Sequence, residues 1–468
     1  MNLVLICSDT FRWDYLGCYG NEWIETPNLD AMAAESALYE QAFGEGLPTL
    51  PARRVMVTGR RIIPMQYHHQ HSDKVKVPGW HPLFFEDVTL AEHLLAKDYA
   101  TCMVTDVYHM MKPGKNFHRG MEYWYWIRGV EDDRYNWRDP ERVQDVWPTV
   151  SDWSGGPKDP RHWLVQHING RVQWQDERDS LTGRVMTRAM DWVRGFRGDY
   201  PFFMWIDMFD PHEPWDAPLE YGRKYDPNFD PYMAAFPPST TENMTEEQFR
   251  CVKAGYAGEC SLVDAWVGRF MDTLAEQGLL DDTIVVFTSD HGGMMGEQGE
   301  IHKGASRLRN QVTQVPLLIR HPEGEAAGAR VRGFVQHQDI MPTVLAMMGE
   351  DIPDRCNGEN IWPLAVEGRD SDREQIITCF GWHASVRNHR WNYIAPWADV
   401  PAKRGEGRTE LYDLENDPQE LVNVIDEHPE VASEMQAWME RYMEDHAKET
   451  DGDLGPGQAG PEHDQAYI

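Results

Sequence analysis

Short apolar runs rich in β-branched and aromatic residues alternate along the chain with segments whose apolar positions recur at helical spacing. Residues 3–6 predict a strand and residues 28–35 a helix. Residues 88–95 read as a helix ahead of a strand at 101–104, and 181–193 as a helix ahead of a strand at 202–206. A long helix at 248–277 precedes a strand at 283–287, and 315–319 is another short apolar run. This alternation predicts an α/β fold, with a mainly parallel central sheet sandwiched by helices. In such sheets ligands gather at the carboxyl ends of strands, so chemistry is to be sought there.

Two regions break the pattern. Residues 112–180 are rich in Trp, Asp, Arg and Pro with little periodicity, and read as an insertion packed by aromatic side chains over one end of the sheet. Beyond about residue 370, short strand-like pieces at 375–380 and 391–395 precede an apolar phrase at 410–414 and a helix from about 429 to 444. The expected organisation is therefore a catalytic α/β domain over 1–370 and a smaller α+β subdomain over 371–448. Residues 449–468 are expected to form an extended or disordered tail.

Lys and Arg total 44 against 77 Asp and Glu, a formal net charge of −33. Such a surface repels polyanions, which excludes nucleic acid as a partner but leaves room for a small anion in a locally positive pocket. The chain has no apolar run of about 18 residues, so no membrane partner is expected. The first apolar run is cut off by Ser8, Asp9 and Thr10 and reads as a strand, not a secretory signal. The seven cysteines are scattered without a Cys-X-X-Cys pair, which points to a reducing cytoplasm.

Asp9 follows the first strand, and Asp290 and His291 follow the strand at 283–287. Two strand-end carboxylates and an imidazole suit a divalent cation with oxygen preference, although each Asp alone also reads as a turn cap. Pro48 and Pro51 hold an extended turn, with a helix expected from about Ala52. Thr49 then lies near a helix N-terminus, where backbone N–H groups favour an anion, and Arg53 lies one turn further in. A threonine hydroxyl there is either a nucleophile activated by a metal or a helix cap.

Together these segments resemble the sulfatase family of the alkaline phosphatase superfamily. The resemblance runs through Leu5-Ile6-Cys7-Ser8-Asp9-Thr10, Thr26-Pro27-Asn28-Leu29-Asp30, and Thr49-Leu50-Pro51-Ala52-Arg53 ending in Thr58-Gly59-Arg60. It continues through Asp210-Pro211-His212-Glu213-Pro214-Trp215, Ser289-Asp290-His291-Gly292 with Ile301-His302-Lys303-Gly304, and Glu410-Leu411-Tyr412-Asp413-Leu414. The family carries Cys or Ser, matured to formylglycine, where this chain has Thr49. Its paired Asp-Asp in the first loop is Asp9-Thr10 here, and Asp106 stands where many members have a lysine. His337 and Asp339 are left over as possible extra ligands, for which a turn and a helix cap are the preferred reading.

The resemblance implies an alkaline-phosphatase-like fold and one divalent metal ion (Mn, Ca, Mg or Zn, with Mn favoured) held by Asp9, Asp290, His291 and Thr49. It implies Thr49 as nucleophile, Arg53 and Lys303 as charge stabilisers and His212 as the acid. Tyr108 and His109 are expected to reach the substrate or to pack against the insertion, and Asp106 lowers the positive charge offered to it. The expected activity is hydrolysis of phosphate diesters or phosphonate monoesters through a threonine alkoxide. The alternatives are a sulfatase acting without formylglycine and a non-catalytic binding protein. A small anionic ester is the expected substrate and a homo-oligomer the expected assembly.

Overall fold

The computed structural model describes residues 1–67, 75–131, 133, 163–198, 200–400, 407–450 and 452. Most of the insertion (134–162) and the tail from 453 to 468 lie outside the described residues. In chain order the first strands are β1 (Asn2–Ser8), β2 (Ala37–Phe43), β3 (Gly46–Leu47), β4 (Ala100–Thr105), β5 (Tyr123–Trp126), β6 (Phe202–Met208) and β7 (Thr283–Ser289). Then come β8 (Met294–Met295), β9 (Ile301–His302), β10 (Gln314–Val315), β11 (Leu317–Arg320) and β12 (Arg330–Gln336). The last four are β13 (Gln375–Phe380), β14 (His383–Asn388), β15 (Trp391–Pro396) and β16 (Glu410–Asp413).

The main sheet runs β10-β2-β11-β7-β1-β6-β4-β5, with β12 beside β2. β4, β5, β6, β1 and β7 are all parallel, and only β10 and β11 run against the rest. β1 is central and wholly buried, which is why it reads as an unbroken apolar run. Its alternate residues feed two cores: Val4 and Ile6 pack with the helices Leu181–Gly195 and Glu246–Glu276. Leu3, Leu5 and Cys7 pack on the other face with α2 (Thr49–Thr58) and α3 (Leu90–Leu95). The expected doubly covered α/β sheet is the observed one. No helix among the described residues is long and apolar enough to cross a membrane.

Four expectations change. α2 begins at Thr49, three residues before the expected start. The insertion contributes an edge strand: β5 pairs in parallel with β4, Met103 opposite Trp124. The second sheet, β16-β15-β14-β13-β3, is not confined to residues 371–448, because β3 joins its edge with Leu47 opposite Phe380. The tail also starts as part of the fold. Glu449 pairs with Arg61 at 3.2 Å, and the buried Thr450 hydroxyl donates to the Pro64 carbonyl at 3.0 Å.

Candidate metal centre and anion pocket

Sheet register brings the acids together. Ser8 on β1 is opposite Ser289 on β7, so Asp9 and Asp290 leave two neighbouring parallel strands side by side. Asp9, Asp290 and His291 are all fully buried, and one ligand atom from each lies within 4.8 Å of the others. His291 Nδ1 lies 2.8 Å from the Gly292 carbonyl and donates to it, leaving the Nε2 lone pair without a partner. That lone pair faces Asp290 Oδ2 at 3.5 Å and Asp9 Oδ1 at 3.8 Å, and Asp9 Oδ2 accepts no hydrogen bond. Thr10 does not act as a further acid. It sits at φ 63 and braces the pair, its N–H donating to Asp290 Oδ1 (3.0 Å) and its hydroxyl to Asp9 Oδ1 (2.8 Å).

Arg53 lies beneath this group and is itself fully buried. It contacts Asp207 at 2.7 Å, Asp290 at 2.5 Å and Asp9 at 3.2 Å. One guanidinium against three carboxylates leaves an excess of negative charge in a low-dielectric site, which a dication would neutralise. Burial pushes the Asp207 carboxyl up to about 7, with Arg53 opposing. Burial would also raise Asp9, but Arg53, with His212, Lys303 and His291, holds it below the carboxylate range. Burial lowers His291, keeping the imidazole neutral as a metal ligand requires. An unpaired imidazole lone pair, a carboxylate oxygen that accepts no hydrogen bond and excess buried negative charge fit a divalent ion bound by oxygen and nitrogen.

Thr49 is the first residue of α2, and the preceding Pro48 gives that helix no side-chain cap. The threonine is therefore not a cap. Its carbonyl accepts from Arg53 Nη1 at 3.2 Å, and it lines a cavity of about 730 Å³. His212, Lys303, His109, Glu131, Glu213 and Arg307 line the same cavity, as do Trp80, Phe380, Trp382 and His383. His212 Nδ1 lies 2.7 Å from the Glu213 carbonyl and donates to it, and its ring stacks on Phe209 with centroids 4.1 Å apart. Lys303 Nζ is buried without a hydrogen-bond partner. Burial would raise Glu213, but His212, His302 and Lys303 hold it well below the carboxylate range.

The structure thus gathers Asp9, Asp290, His291, Thr49, His212, Lys303 and His109 around one cavity and its floor. Arg53 is close by but faces carboxylates, so the expectation that it meets substrate oxygens gives way to a positioning role. Asp106 is also displaced from its expected role. It is fully buried outside the cavity lining, accepts the Phe209 N–H at 2.8 Å, and is driven well above the carboxylate range by burial. Tyr108 is not among the lining residues and lies against Trp126. His109 is tied to Glu131 at 2.6 Å and meets Trp80 edge-on. His337 lies 2.9 Å from the Ser289 carbonyl, and Asp339 accepts the Gln336 and Glu359 N–H groups beside Arg373, so both are structural.

Sequence reasoning missed Asp207, Glu131, Glu213 and His383. Asp207 was findable, since it is the acid near the carboxyl end of the apolar strand β6, opposite Cys7 on β1. The others carry no such signal.

A family model for sulfatases matches residues 1–350, and one for the C-terminal part of N-sulphoglucosamine sulphohydrolase matches residues 297–449. The chain belongs to the sulfatase family of the alkaline phosphatase superfamily and is an ester hydrolase. An arylsulfatase of Clostridium perfringens is 28% identical over 457 residues, covering 91% of this chain and 90% of its own. The multifunctional alkaline phosphatase superfamily protein PehA of Trinickia caryophylli is 25% identical, covering 79% of this chain and 78% of its own. The phosphonate monoester hydrolase of Agrobacterium radiobacter shares the fold, with a TM-score of 0.71, 22% identity and 96% of each chain covered.

Proposed function

We propose that this enzyme hydrolyses singly charged phosphate diesters or phosphonate monoesters, with Thr49 Oγ as the nucleophile. The observation that carries the reading is the threonine itself: an uncapping residue at the start of α2, lining the cavity beside the Asp9–Asp290–His291 cluster. A threonine cannot become an aldehyde hydrate, so its ester must be cleaved by water at phosphorus or sulfur. Attack of water on phosphothreonine is accessible, whereas a sulfothreonine is expected to stall.

A divalent ion at Asp9, Asp290 and His291, for which we favour Mn²⁺, would supply Lewis-acid polarisation of the ester and a lowered pKa for the attacking hydroxyl. In the first step Thr49 Oγ gives up its hydroxyl proton to solvent and bonds to phosphorus as the bond to the leaving oxygen breaks. With Nδ1 committed to the Glu213 carbonyl, His212 has Nε2 available to pass a proton to that oxygen. Water then attacks phosphorus, Thr49 Oγ leaves and takes up a proton, and His212 accepts the proton from the water. Lys303 stabilises charge on the non-bridging oxygens. The cavity sets Lys303 and Arg307 against Glu131 and Glu213, a balance that favours a monoanionic ester over a phosphate dianion. The seven free cysteines support a reducing compartment such as the cytoplasm.

A sulfate ester is the second reading, favoured by the likeness to the Clostridium perfringens arylsulfatase. The test compares kcat/KM for nitrophenyl phenylphosphonate, bis-nitrophenyl phosphate and nitrophenyl sulfate on the metal-loaded enzyme. Both phosphorus esters should exceed the sulfate. Multiple-turnover sulfate hydrolysis faster than both overturns the proposal.

A further inference from the structure

One wall of the cavity that Thr49 lines is the tip of a tight hairpin. Phe380 and His383 face each other across Gly381 and Trp382, where β13 turns into β14. Gly381 has φ 57, and a Cβ there would meet Val77 Cβ at 3.4 Å, so the turn is pressed against the cavity loop. Phe380 also pairs with Leu47, two residues before Thr49, so sheet register fixes the tip relative to that residue. His383 is 4% exposed and lines the cavity, yet neither ring nitrogen has a hydrogen-bond partner. Burial lowers its pKa, and no charged group opposes the shift. The ring is therefore a neutral imidazole with one N–H and one lone pair, both desolvated and unused.

Resting on the reading of this cavity as an ester-hydrolase site, we propose that His383 is a specificity residue that hydrogen-bonds neutral hydroxyl groups on the leaving group. The chemistry selects hydroxyls. A second anion would use only the N–H and an ammonium only the lone pair, whereas hydroxyls serve both. Trp382, packed in the same apolar cluster as Val77 and Trp80, also lines the cavity and gives it an apolar surface beside His383 for the ring or chain bearing those hydroxyls. The favoured leaving group is thus a hydroxylated alcohol or phenol, not a plain alkyl or aryl one.

The test is calorimetric titration of the metal-loaded protein with phenol, resorcinol and hydroquinone, as mimics of the departing group. Wild type should bind the better diol about tenfold more tightly than phenol. His383→Leu should erase that preference, and His383→Gln, which keeps a donor and an acceptor, should retain part of it. Equal binding of diols and phenol by wild type overturns the proposal whatever the variants do, and so does an undiminished preference in His383→Leu. The nitrophenyl esters are assayed in parallel. If none turns over while the diol preference follows residue 383, the hydrolase mechanism falls and the His383 assignment stands. Turnover with no diol preference does the reverse.

Discussion

The floor of the cavity and its wall are built on opposite principles. Asp9, Arg53, Asp207, Asp290 and His291 form a fully buried floor in which Arg53 is ion-paired with all three carboxylates and the neutral His291 ring lies beside two of them. Their positions follow from parallel strands ending in register. The wall comes from segments far apart in sequence: Trp80, Glu131, Lys303 and the hairpin tip at Trp382 and His383. Several of its polar atoms, including Lys303 Nζ and both His383 nitrogens, have no partner. The floor is preorganised by buried ion pairs around the Asp9 and His291 atoms that would hold a divalent ion, while the wall is completed by the substrate. Substitutions in the floor should therefore tax folding and chemistry together, and substitutions in the wall should tax chemistry alone.

The largest effect is expected where the two meet. Thr49→Ala should reduce kcat on the order of ten-thousandfold or more while leaving the melting temperature unchanged. Substantial activity in that variant would remove Thr49 from the nucleophile role. Chelation should abolish turnover likewise, with recovery on adding Mn²⁺ or another divalent ion. Full activity in protein shown by elemental analysis to be metal-free would sink the assignment of Asp9, Asp290 and His291.

Arg53 and Lys303 separate floor from wall directly. Arg53→Met leaves buried carboxylates without their cation and should cost about 3–5 kcal/mol of stability, read by denaturant unfolding. Lys303→Met removes a buried cation that has no hydrogen-bond partner. It should leave stability within about 0.5 kcal/mol while lowering kcat/KM roughly hundredfold. If the two variants lose equal stability, the contrast between floor and wall is wrong.

The same contrast explains what could be read from sequence. The floor was largely legible because an apolar run followed by Asp is a local pattern, and the parallel sheet dictates where such ends converge. Asp207 is missed because the strand expected at 202–206 stops short of it, whereas β6 runs two residues further, to Met208. The role of Arg53 could not be read, since its position one turn into α2 is compatible with facing either an anion or the acids beneath it. Asp106 misled because the side chain turns inward to the Phe209 N–H, which no spacing reveals. Lys303, His212 and His109 were legible in the wall through their motifs, but its hairpin tip was not: β3 is two residues long, and its pairing with β13 brings together Leu47 and Phe380, more than three hundred positions apart.

Glu45 lies at the seam between the two regions and gives the smallest expected effect. It is fully buried between β2 and β3; its carboxylate accepts the Ile62 N–H at 3.1 Å, and its carbonyl accepts the Cys379 N–H at 2.8 Å. Burial pushes the carboxyl up to about 7, against the pull of the Ile62 N–H and Arg61. A folded-state pKa above the unfolded one means the native protein binds the extra proton. The contribution of this group to stability is then greatest below about pH 4.5 and falls as pH rises toward 7, by about 3 kcal/mol. Asp207, also raised to about 7, slopes in the same direction, so the total curve does not isolate Glu45. The difference between wild type and Glu45→Gln does, because a glutamine cannot ionise yet still accepts the Ile62 N–H. Unfolding free energies measured from pH 4.5 to 7.5 should show a shallower decline in the variant. Parallel curves would mean that the seam already holds a charged Glu45 and that the wall is joined to the floor through an ion rather than a neutral acid.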